Sequence, residues 1–376
     1  MTLKNPAEKV ILSGLLFPED LLDEEEILAE FETLTYSAGA LPVGKAFQHR
    51  QSYDPAYAIG KGKVEEILLL LKQTGAKTVL FLNDLTPVQQ RNLEKAFQKK
   101  VVDRTALILD IFAQRARTKE GKLQVELAQL KYQLPRLSEI WETFSRLGGG
   151  IGTRGPGEQK LEADRRRIQG RIRKLENEIK KVRKHRELLR ESRKRKNLLT
   201  VSLIGYTNSG KTSLLNALTG SKAYVAEKYF ATLDPLVRKI SFQNGESVLL
   251  TDTVGFLRNL PPQLTAAFKA TLEELDESNL LIHVLDGSNP QNLTLAAEVQ
   301  EMLEELKLEE KPLLLVINKS DKITPAAVKE LKEAFARPLF VSALTGKGLE
   351  ELKTALQNAV HDTPHEKKEN DKKRAD

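Results

Sequence analysis

The feature that most constrains the fold of this chain is the segment Gly205–Ser213, which reads GYTNSGKTS. It follows the apolar stretch Leu198–Ile204, which has strand character, and it leads into the helix-forming sequence SLLNAL. A glycine-rich turn between a strand and a helix lets backbone N–H groups wrap a phosphate, while a lysine adds positive charge. The segment therefore predicts a phosphate-binding loop with Lys211 at the β- and γ-phosphates.

Strands and helices alternate from residue 198 onward, which is typical of an open, mainly parallel sheet covered by helices. The predicted strands are Leu198–Ile204, Val237–Phe242, Ser247–Thr251, Leu280–Leu285, Pro312–Ile317 and Pro338–Val341. A last helix is predicted at Lys347–Val360. We therefore assign residues 198–360 to an α/β nucleotide-binding domain. The remaining charged tail, residues 361–376, is expected to be disordered because it has no apolar pattern.

Two motifs supply candidate magnesium ligands. The hydroxyl of Thr212 lies at the end of the phosphate loop, and Asp252 ends an apolar strand in the sequence LLTDTVG. Hydroxyl and carboxylate oxygens suit Mg²⁺, and the carboxylate can act through a water molecule. Gly255 presents a backbone N–H that can sense the γ-phosphate. Between the two motifs lies FATLDP, which begins at Phe230 and offers Thr232 as a metal ligand that engages only when a γ-phosphate is present.

The base of the nucleotide is predicted from the sequence NKSD, residues 318–321, directly after a predicted strand. The carboxylate of Asp321 can accept hydrogen bonds from N1–H and the exocyclic amine of guanine, a pair that adenine does not present. Asn318 is expected to brace this loop, and the stem of Lys319 to cover the ring. The residues after the next strand, 342–344, would complete the pocket with a backbone N–H. These patterns predict GTP as the ligand.

The predicted site joins all of these segments. Lys211, Thr232 and Gly255 are the expected catalytic residues, and Thr212, Thr232 and Asp252 are the expected Mg²⁺ ligands. The residues predicted to bind the nucleotide are Gly205, Tyr206, Thr207, Asn208, Ser209, Gly210, Lys211, Thr212, Ser213, Phe230, Thr232, Asp252, Gly255, Asn318, Lys319, Asp321, Ser342, Ala343 and Leu344.

Residues 104–197 carry two apolar seams with heptad spacing, each typical of a long helix. The upstream seam is Leu123, Leu127, Leu130, Leu134 and Leu137; the downstream seam is Leu161, Ile168, Leu175, Val182 and Leu189, with Ile172 and Ile179 four residues after two of these. Between them lies GGGIGTRGPG, residues 148–157, which no helix tolerates. Two adjacent seams separated by this breaker predict an antiparallel helical hairpin with a glycine-rich tip.

Positive charge is concentrated on the second helix of this hairpin. Residues 154–196 contain 18 basic and 7 acidic side chains, a net charge of +11, whereas the whole chain carries +7. Such a stretch is either the solvated face of a coiled coil or an arm that neutralises RNA phosphates. The glycine-rich tip favours RNA, because ordering so many glycines is entropically costly and lets the backbone approach a partner closely.

Residues 1–103 are typical of a small α/β domain. Strands are predicted at Lys9–Phe17 and Lys77–Asn83, and helices at Glu24–Thr35, Val64–Gln73 and Pro87–Gln98. The segment YAIGKGK, residues 57–63, opens into a helix and is either a phosphate-binding turn or an ordinary helix start. An ATP site at this turn stays open as a hypothesis, although no complete adenine-nucleotide motif is present.

The absence of cysteine excludes a disulfide framework, a thiolate zinc site and a cysteine nucleophile. The first residues contain a short apolar stretch that turns acidic at once, which resembles neither a signal peptide nor a membrane span. We therefore expect a cytoplasmic protein without stable membrane insertion, and we expect it to be a monomer.

The nucleotide-binding motifs, in their order along the chain, resemble those of the translation-factor-related GTPases. The segments upstream of them narrow the resemblance to the HflX family. The segments that carry it are YAIGKGK, VDRTALILDIFAQRAR, GGGIGTRGPGEQKL, GYTNSGKTSLLNALTG and FATLDP. The resemblance implies a P-loop GTPase domain with a mainly parallel sheet, preceded by a small α/β domain and a long antiparallel helical hairpin. It also implies hydrolysis of GTP to GDP and phosphate with Mg²⁺ as cofactor.

The same resemblance implies a partner and a task. Members of this family bind the large ribosomal subunit and its RNA, and they split stalled or idle ribosomes in the GTP-bound state. The tip at residues 149–157 would reach toward the peptidyl-transferase centre. The alternative from the residues is a GTP-gated RNA-binding protein or ribosomal-subunit assembly chaperone whose hydrolysis is incidental.

Two positions bear on the rate of hydrolysis. Phe256 follows Gly255 where many GTPases place a glutamine that orients water, and a phenyl ring cannot do so. Slow intrinsic turnover, with a partner such as the ribosome completing the site, is therefore expected. Asn208 stands where related GTPases use asparagine to help hold K⁺, and it either has that role here or only braces the loop.

Overall fold

The chain forms two sheets, one in each of two compact units. The computed structural model describes residues 7–18, 24–147, 156–195, 199–220, 229–230, 235–242, 245–257 and 275–362, without the side chains of residues 138–147, 156–161, 183, 185–195 and 360–362. The first unit contains the described residues up to 187 together with Tyr229 and Phe230, and the second unit contains the others. Among the described residues, no helix combines the length and the apolarity that a membrane crossing requires.

The first unit contains a four-stranded sheet in the order β2-β1-β3-β4. The strands are β1 (Glu8–Leu16), β2 (Ala40–His49), β3 (Thr78–Phe81) and β4 (Lys100–Val102). All three pairings are parallel, so the chain returns through a helix between successive strands. Strand β1 is buried from Val10 to Leu16, because it lies inside the sheet with helices on its faces.

Four helices cover this sheet. They are α1 (Glu24–Ser37), α2 (Lys61–Thr74), α3 (Pro87–Phe97) and α4 (Arg104–Arg115). Helix α3 starts with a capping box between Thr86 and Gln89, and Pro87 occupies its first turn. These residues satisfy N–H groups that a helix start otherwise leaves unpaired. The apolar core between helices and sheet includes Ile67 and Phe81, both almost fully buried.

Two long helices, α5 (Lys119–Leu147) and α6 (Pro156–Arg195), form the predicted hairpin. Their interface contains three residues from each seam: Leu123, Leu127, Leu130, Leu175, Ile179 and Val182. Beside it, Arg171 donates two hydrogen bonds to Glu126, at 2.7 and 2.9 Å, and Lys131 pairs with Glu176 at 2.9 Å. Because the helices are consecutive and pack side by side across a short connection, they are antiparallel, as predicted. Tip residues 148–155 lie outside the described residues.

A buried polar cluster joins α5 to the rest of the first unit. The carboxylate of Asp103, which is 0% exposed, caps α4 by accepting the N–H of Ala106 at 2.9 Å. It also accepts the hydroxyl of Tyr132 at 2.7 Å and the guanidinium of Arg136 at 2.8 Å. The same Arg136 donates to the carbonyl oxygen of Leu85 at 3.0 Å and lies over the Tyr132 ring. The base of the hairpin is therefore fixed by charge-assisted hydrogen bonds.

The second unit contains a six-stranded sheet in the order β10-β9-β8-β5-β7-β6. The strands are β5 (Leu199–Ile204), β6 (Leu236–Ser241), β7 (Ser247–Asp252), β8 (Leu280–Asp286), β9 (Leu313–Asn318) and β10 (Leu339–Phe340). The described helices are α7 (Lys211–Thr219), α8 (Asn292–Glu305), α9 (Pro325–Ala334) and α10 (Leu349–Asp362). Only β6 is antiparallel among these strands, so the carboxyl ends of the other five meet at one edge.

The predicted fold class is confirmed: an α/β P-loop domain follows a small α/β unit and a helical hairpin. The predicted strands of the second unit agree with the structure to within two residues at most ends.

Strands β2 and β4 were not predicted. Strand β2 is half-exposed and contains Pro42 and Gly44, and β4 has only three residues, so neither carries a strong strand pattern. The boundaries after residues 103 and 197 stay predictions, and residues 363–376 of the tail lie outside the described residues.

Candidate nucleotide-binding site

The phosphate loop connects β5 to α7 at the carboxyl edge of the sheet, where α/β folds bind ligands. Three residues of the loop have a positive φ: Asn208 at +64° and Gly210 at +90° are left-handed, and Gly205 has a φ of +138°. Asparagine tolerates this conformation, and at Gly210 a Cβ atom would lie 2.2 Å from Nδ2 of Asn318. Only glycine fits between the loop and Asn318. The buried hydroxyl of Ser209 has no hydrogen-bond partner among the described residues.

Lys211, at the first position of α7, is only 6% exposed. Its ammonium group donates hydrogen bonds to the carbonyl oxygens of Gly205, at 2.8 Å, and Tyr206, at 2.6 Å. Burial lowers the pKa of Lys211 to about 8, and the nearby charge of Asp252 opposes that change. The loop therefore surrounds the Lys211 ammonium group, whose charge is only partly balanced by Asp252. This arrangement favours an anionic ligand.

The predicted magnesium ligands Thr212 and Asp252 lie in direct contact. The hydroxyl of Thr212 donates to Oδ2 of Asp252 at 2.6 Å, and Asp252 is 0% exposed. A hydroxyl and a carboxylate oxygen side by side at the start of a phosphate-loop helix fit the oxygen donors that Mg²⁺ prefers. The third predicted ligand, Thr232, lies outside the described residues.

The chain beyond β7 returns to the phosphate loop. The N–H of Phe256 donates to the carbonyl oxygen of Gly205 at 3.0 Å, and the N–H of Thr207 donates to the carbonyl oxygen of Phe256 at 2.9 Å. At Gly255 a Cβ atom would lie 2.7 Å from Cα of Thr207 and 2.9 Å from Nζ of Lys211. Gly255 is therefore glycine because the backbone passes the loop closely, and its role beside the terminal phosphate stays a prediction.

Asn318, at the end of β9, links the phosphate loop to the predicted guanine-binding loop. Its Nδ2 donates to the carbonyl oxygen of Ser209 at 3.0 Å, and its Oδ1 accepts the N–H of Ala343 at 3.1 Å. Asn318 is 1% exposed. Because each end of its amide group is used, Asn318 fixes three chain segments relative to one another, as the sequence predicted.

Asp321 and Lys319 are each held by a neighbour. The hydroxyl of Ser342 donates to Oδ1 of Asp321 at 2.5 Å, and this hydrogen bond lowers the pKa of Asp321. The side chain is therefore ionised at neutral pH and can accept from two N–H groups. The ammonium of Lys319 pairs with Asp286, the last residue of β8, at 2.6 Å. Leu344 follows in the next loop and is 84% exposed.

Three features of the site were not predicted. Asp286 orients Lys319, Tyr206 of the phosphate loop donates to the carboxylate of Glu298 on α8, and His283 lies buried in β8. Burial lowers the pKa of His283 to about 4, with a further contribution from the charge of Lys211, so this imidazole is neutral. Asp286 ends β8 and is followed by a glycine, and this pattern in the sequence could have identified Asp286 as a residue of the site.

Most of the predicted nucleotide-binding residues come together at this edge of the sheet. They are Gly205, Tyr206, Thr207, Asn208, Ser209, Gly210, Lys211, Thr212, Ser213, Asp252, Gly255, Asn318, Lys319, Asp321, Ser342, Ala343 and Leu344. Phe230 instead packs in the first unit, where its ring contacts Phe112. The contacts of all these residues with a nucleotide stay predictions.

Asp321→Asn tests the guanine assignment. The amide would replace one acceptor with a donor that faces a donor of the base, so the affinity for GTP should fall by about 100-fold. Xanthosine triphosphate has a carbonyl oxygen in place of the exocyclic amine and should lose much less. Calorimetric titration with GTP, ATP and xanthosine triphosphate measures this, with Asp276→Asn, an exposed position of the same unit, as the matched control. An unchanged preference for GTP over ATP would refute the assignment.

Three family models match successive parts of the chain. The model described as GTP-binding GTPase N-terminal matches residues 25–113, and that described as GTP-binding GTPase Middle Region matches residues 115–193. The model described as 50S ribosome-binding GTPase matches residues 200–319, which run from the phosphate loop strand into the NKSD sequence. The matches follow the order of sheet, hairpin and nucleotide site.

Relatives match along nearly the whole chain. GTPase HflX of Caldanaerobacter subterraneus subsp. tengcongensis is 47% identical over 356 residues, which are 94% of this chain and 81% of the relative. GTPase HflX of Escherichia coli K12 is 44% identical over 351 residues, 93% of this chain and 82% of the relative. The solved structure of SsGBP in complex with GDP is 30% identical, has a TM-score of 0.54, and covers 94% of this chain and 98% of that one.

Proposed function

This chain belongs to the HflX family of GTPases, and on that premise we propose that it binds the large ribosomal subunit and, with GTP bound, splits stalled or idle ribosomes. Hydrolysis of GTP to GDP and phosphate would then reset the protein. The observation that carries the proposal is the combination, in one chain, of a complete set of GTPase motifs and a strongly basic helical hairpin.

Each part of the nucleotide site has a definite task in hydrolysis. The amides of the phosphate loop and the ammonium of Lys211 bind the phosphates, and Asp321 selects guanine. Thr212, Asp252 and Thr232 would hold Mg²⁺, which neutralises charge that develops on the phosphate oxygens. The N–H of Gly255 would donate to the γ-phosphate. Asn208, which is exposed and left-handed, is the predicted ligand of a K⁺ ion in this proposal.

The exposed face of α6 supports binding to ribosomal RNA. Leu175 and Ile179 pack against α5, whereas a row of basic side chains on the same helix is exposed. The exposed residues include Arg165, Arg167, Arg173, Lys174, Lys180 and Lys181. Such a row neutralises phosphates without reading sequence, so its affinity should decrease steeply with salt. Binding of this kind fits the RNA of a large partner.

Replacing residues 149–157 with a short glycine-serine turn separates hydrolysis from splitting. Intrinsic GTP hydrolysis should stay within about twofold of the parent, because residues 149–157 include none of the predicted nucleotide-binding residues. Splitting of intact ribosomes, measured by sedimentation after incubation with a non-hydrolysable GTP analogue, should be lost. A matched control replaces the nine residues 363–371 of the charged tail.

The same experiment distinguishes the two candidate functions. Splitting by the parent protein with the non-hydrolysable analogue supports the proposed function, because it shows that GTP binding alone is sufficient. Binding only to immature subunits, without splitting, would refute it and favour an assembly chaperone. Full splitting activity in the variant lacking residues 149–157 would show that the tip is a passive turn.

A further inference from the structure

The chain that leaves β8 lies directly beside the predicted guanine-binding loop, residues 318–321. Asp286, the last residue of β8, is the register partner of Asn318, the last residue of β9. One residue further on, the N–H of Gly287 donates to the carbonyl oxygen of Asn318 at 2.8 Å. At Gly287 a Cβ atom would lie 2.1 Å from Cδ1 of Ile323 and 2.9 Å from that carbonyl oxygen. Glycine is therefore required where these two segments meet.

The carboxylate of Asp286 uses both of its oxygen atoms. Oδ1 accepts the N–H of Ser288 at 3.0 Å and the hydroxyl of the same residue at 2.6 Å. Oδ2 pairs with Nζ of Lys319 at 2.6 Å. The side chains of Asp286 and Lys319 are 19% and 24% exposed, so the ion pair is largely shielded from solvent. Ser288 thus holds Asp286 in place, and Asp286 in turn fixes the ammonium group of Lys319.

The backbone of Lys319 adopts an uncommon conformation. Its φ of +59° is left-handed, which few residues other than glycine adopt. The N–H of Ser320 donates to the carbonyl oxygen of Val341 at 3.0 Å, and the N–H of Lys322 donates to the carbonyl oxygen of Lys319 at 2.8 Å. These bonds hold the backbone of the loop, whereas Asp286 holds the side chain. Conformations that depend on surrounding contacts in this way cluster at binding and active sites.

We propose that Asp286 is a positioning residue for guanine-nucleotide binding, because it fixes Lys319 with the stem of that side chain placed to cover the ring of the base. The proposal rests on the assignment of residues 318–321 to guanine. A free lysine side chain loses conformational entropy when a ligand orders it. An ion pair that exists before the ligand arrives removes part of that loss, so the site binds the base more tightly.

Removal of the Asp286 charge should weaken nucleotide binding and leave the hydrolysis step unchanged. Asp286→Asn should raise Kd for GDP and Kd for GTP by the same factor, about fivefold, because the ion pair lies at the predicted base pocket. The rate of hydrolysis at saturating GTP should stay within about twofold, since an interaction made equally before and during the reaction changes affinity alone. Titration calorimetry and single-turnover hydrolysis measure the two quantities.

A change of base separates the role of Asp286 from that of Asp321. Inosine diphosphate keeps the purine ring of GDP but lacks its exocyclic amine. Lys319 is expected to cover the face of the ring, so Asp286→Asn should weaken GDP and inosine diphosphate equally. Asp321 is expected to accept hydrogen bonds from the edge of the base, so Asp321→Asn should lower the preference for GDP over inosine diphosphate. A change of that preference in Asp286→Asn would contradict the proposal.

A double-mutant cycle tests whether Asp286 acts through Lys319. Lys319→Met keeps an apolar stem without the ammonium group and should weaken GDP binding by a similar factor. In the Lys319→Met background, Asp286→Asn should change Kd by less than about twofold. Glu350→Gln removes the charge of another ion-paired carboxylate in the second unit, and as the matched control it should leave Kd unchanged. Calorimetry counts competent sites, so a misfolded fraction would lower the stoichiometry and not the affinity.

The proposal is overturned if Asp286→Asn binds GDP with the parent affinity. It is overturned as well if the effects of Asp286→Asn and Lys319→Met simply add, since Asp286 would then act by a route other than Lys319. Failure of the guanine assignment gives a different result, which is an unchanged preference for GTP over ATP in Asp321→Asn. Because ribosomes are absent from all of these measurements, none of the outcomes bears on ribosome splitting.

Discussion

Lys211→Ala is expected to reduce GTP hydrolysis by about 1,000-fold and to abolish tight binding of both GTP and GDP. Lys211 is the charged side chain that the phosphate loop encloses, held by the carbonyl oxygens of Gly205 and Tyr206. Alanine keeps the helix start but leaves the loop with backbone amides alone. Single-turnover hydrolysis and titration with a fluorescent GDP analogue measure both losses.

The same substitution should change stability little, because opposing effects are removed together. Burial lowers the pKa of Lys211 to about 8, which means that the folded state holds this charge at an electrostatic cost. Alanine relieves that cost, but it also removes two hydrogen bonds to carbonyl oxygens and the attraction to Asp252, so Tm should stay close to that of the parent. Lys329→Ala, an exposed lysine in the same unit, is the matched control and should retain full activity. Retained affinity for GTP in Lys211→Ala would remove the phosphate-loop assignment.

Arg136→Met is expected to lower the free energy of unfolding by about 3–5 kcal/mol, because it leaves the carboxylate of Asp103 buried without its charged partner. Asp103 is 0% exposed, and burial already raises its pKa against the effect of its hydrogen bonds and of Arg136. Denaturation followed by circular dichroism measures the loss. Arg167→Met, an exposed arginine on α6, is the matched control. An unfolding free energy equal to that of the parent would contradict the prediction.

The dependence on pH has a definite sign. A carboxyl whose pKa is raised in the folded state binds protons more tightly there than in the unfolded chain. The free energy of unfolding contributed by Asp103 is therefore greatest below its ordinary pKa of 3.8, and it falls as pH rises through the folded pKa. Without Arg136 the folded pKa rises further, so the fall extends to higher pH. Asp103→Asn combined with Arg136→Met should recover stability at neutral pH and remove this slope.

Much of the nucleotide site could be predicted from local sequence, because each of its motifs is a contiguous segment at the end of a strand. The loop at Gly205–Thr212, the carboxylate of Asp252 and the NKSD sequence each follow an apolar run, and parallel strands bring their carboxyl ends to one edge. The hairpin was predictable for a similar reason, since its two seams repeat with heptad spacing. In each case the signal lies within a short stretch of chain.

What could not be predicted depends on contacts between distant residues. The partner of Lys319 is Asp286, 33 positions earlier, and the partner of the Tyr229 N–H is Ser37, 192 positions earlier. Neither pair leaves a periodic pattern, because each depends on where two separate elements meet. Phe230 was assigned to the nucleotide from its place in FATLDP, whereas its ring packs against that of Phe112. The apolar pattern of α4 indicates only that Phe112 is buried, and it does not indicate which residue Phe112 contacts.

The place of Tyr229 and Phe230 also bears on how the protein is made. Synthesis proceeds from the amino terminus, and domains generally fold as they emerge. Among the described residues, the first unit includes Tyr229 and Phe230, which are translated after the hairpin, the phosphate loop and α7 are complete. We therefore expect the core around Phe112 to be completed only after residue 230 has been synthesised. A fragment that ends at the hairpin should accordingly expose apolar surface that the full-length protein buries.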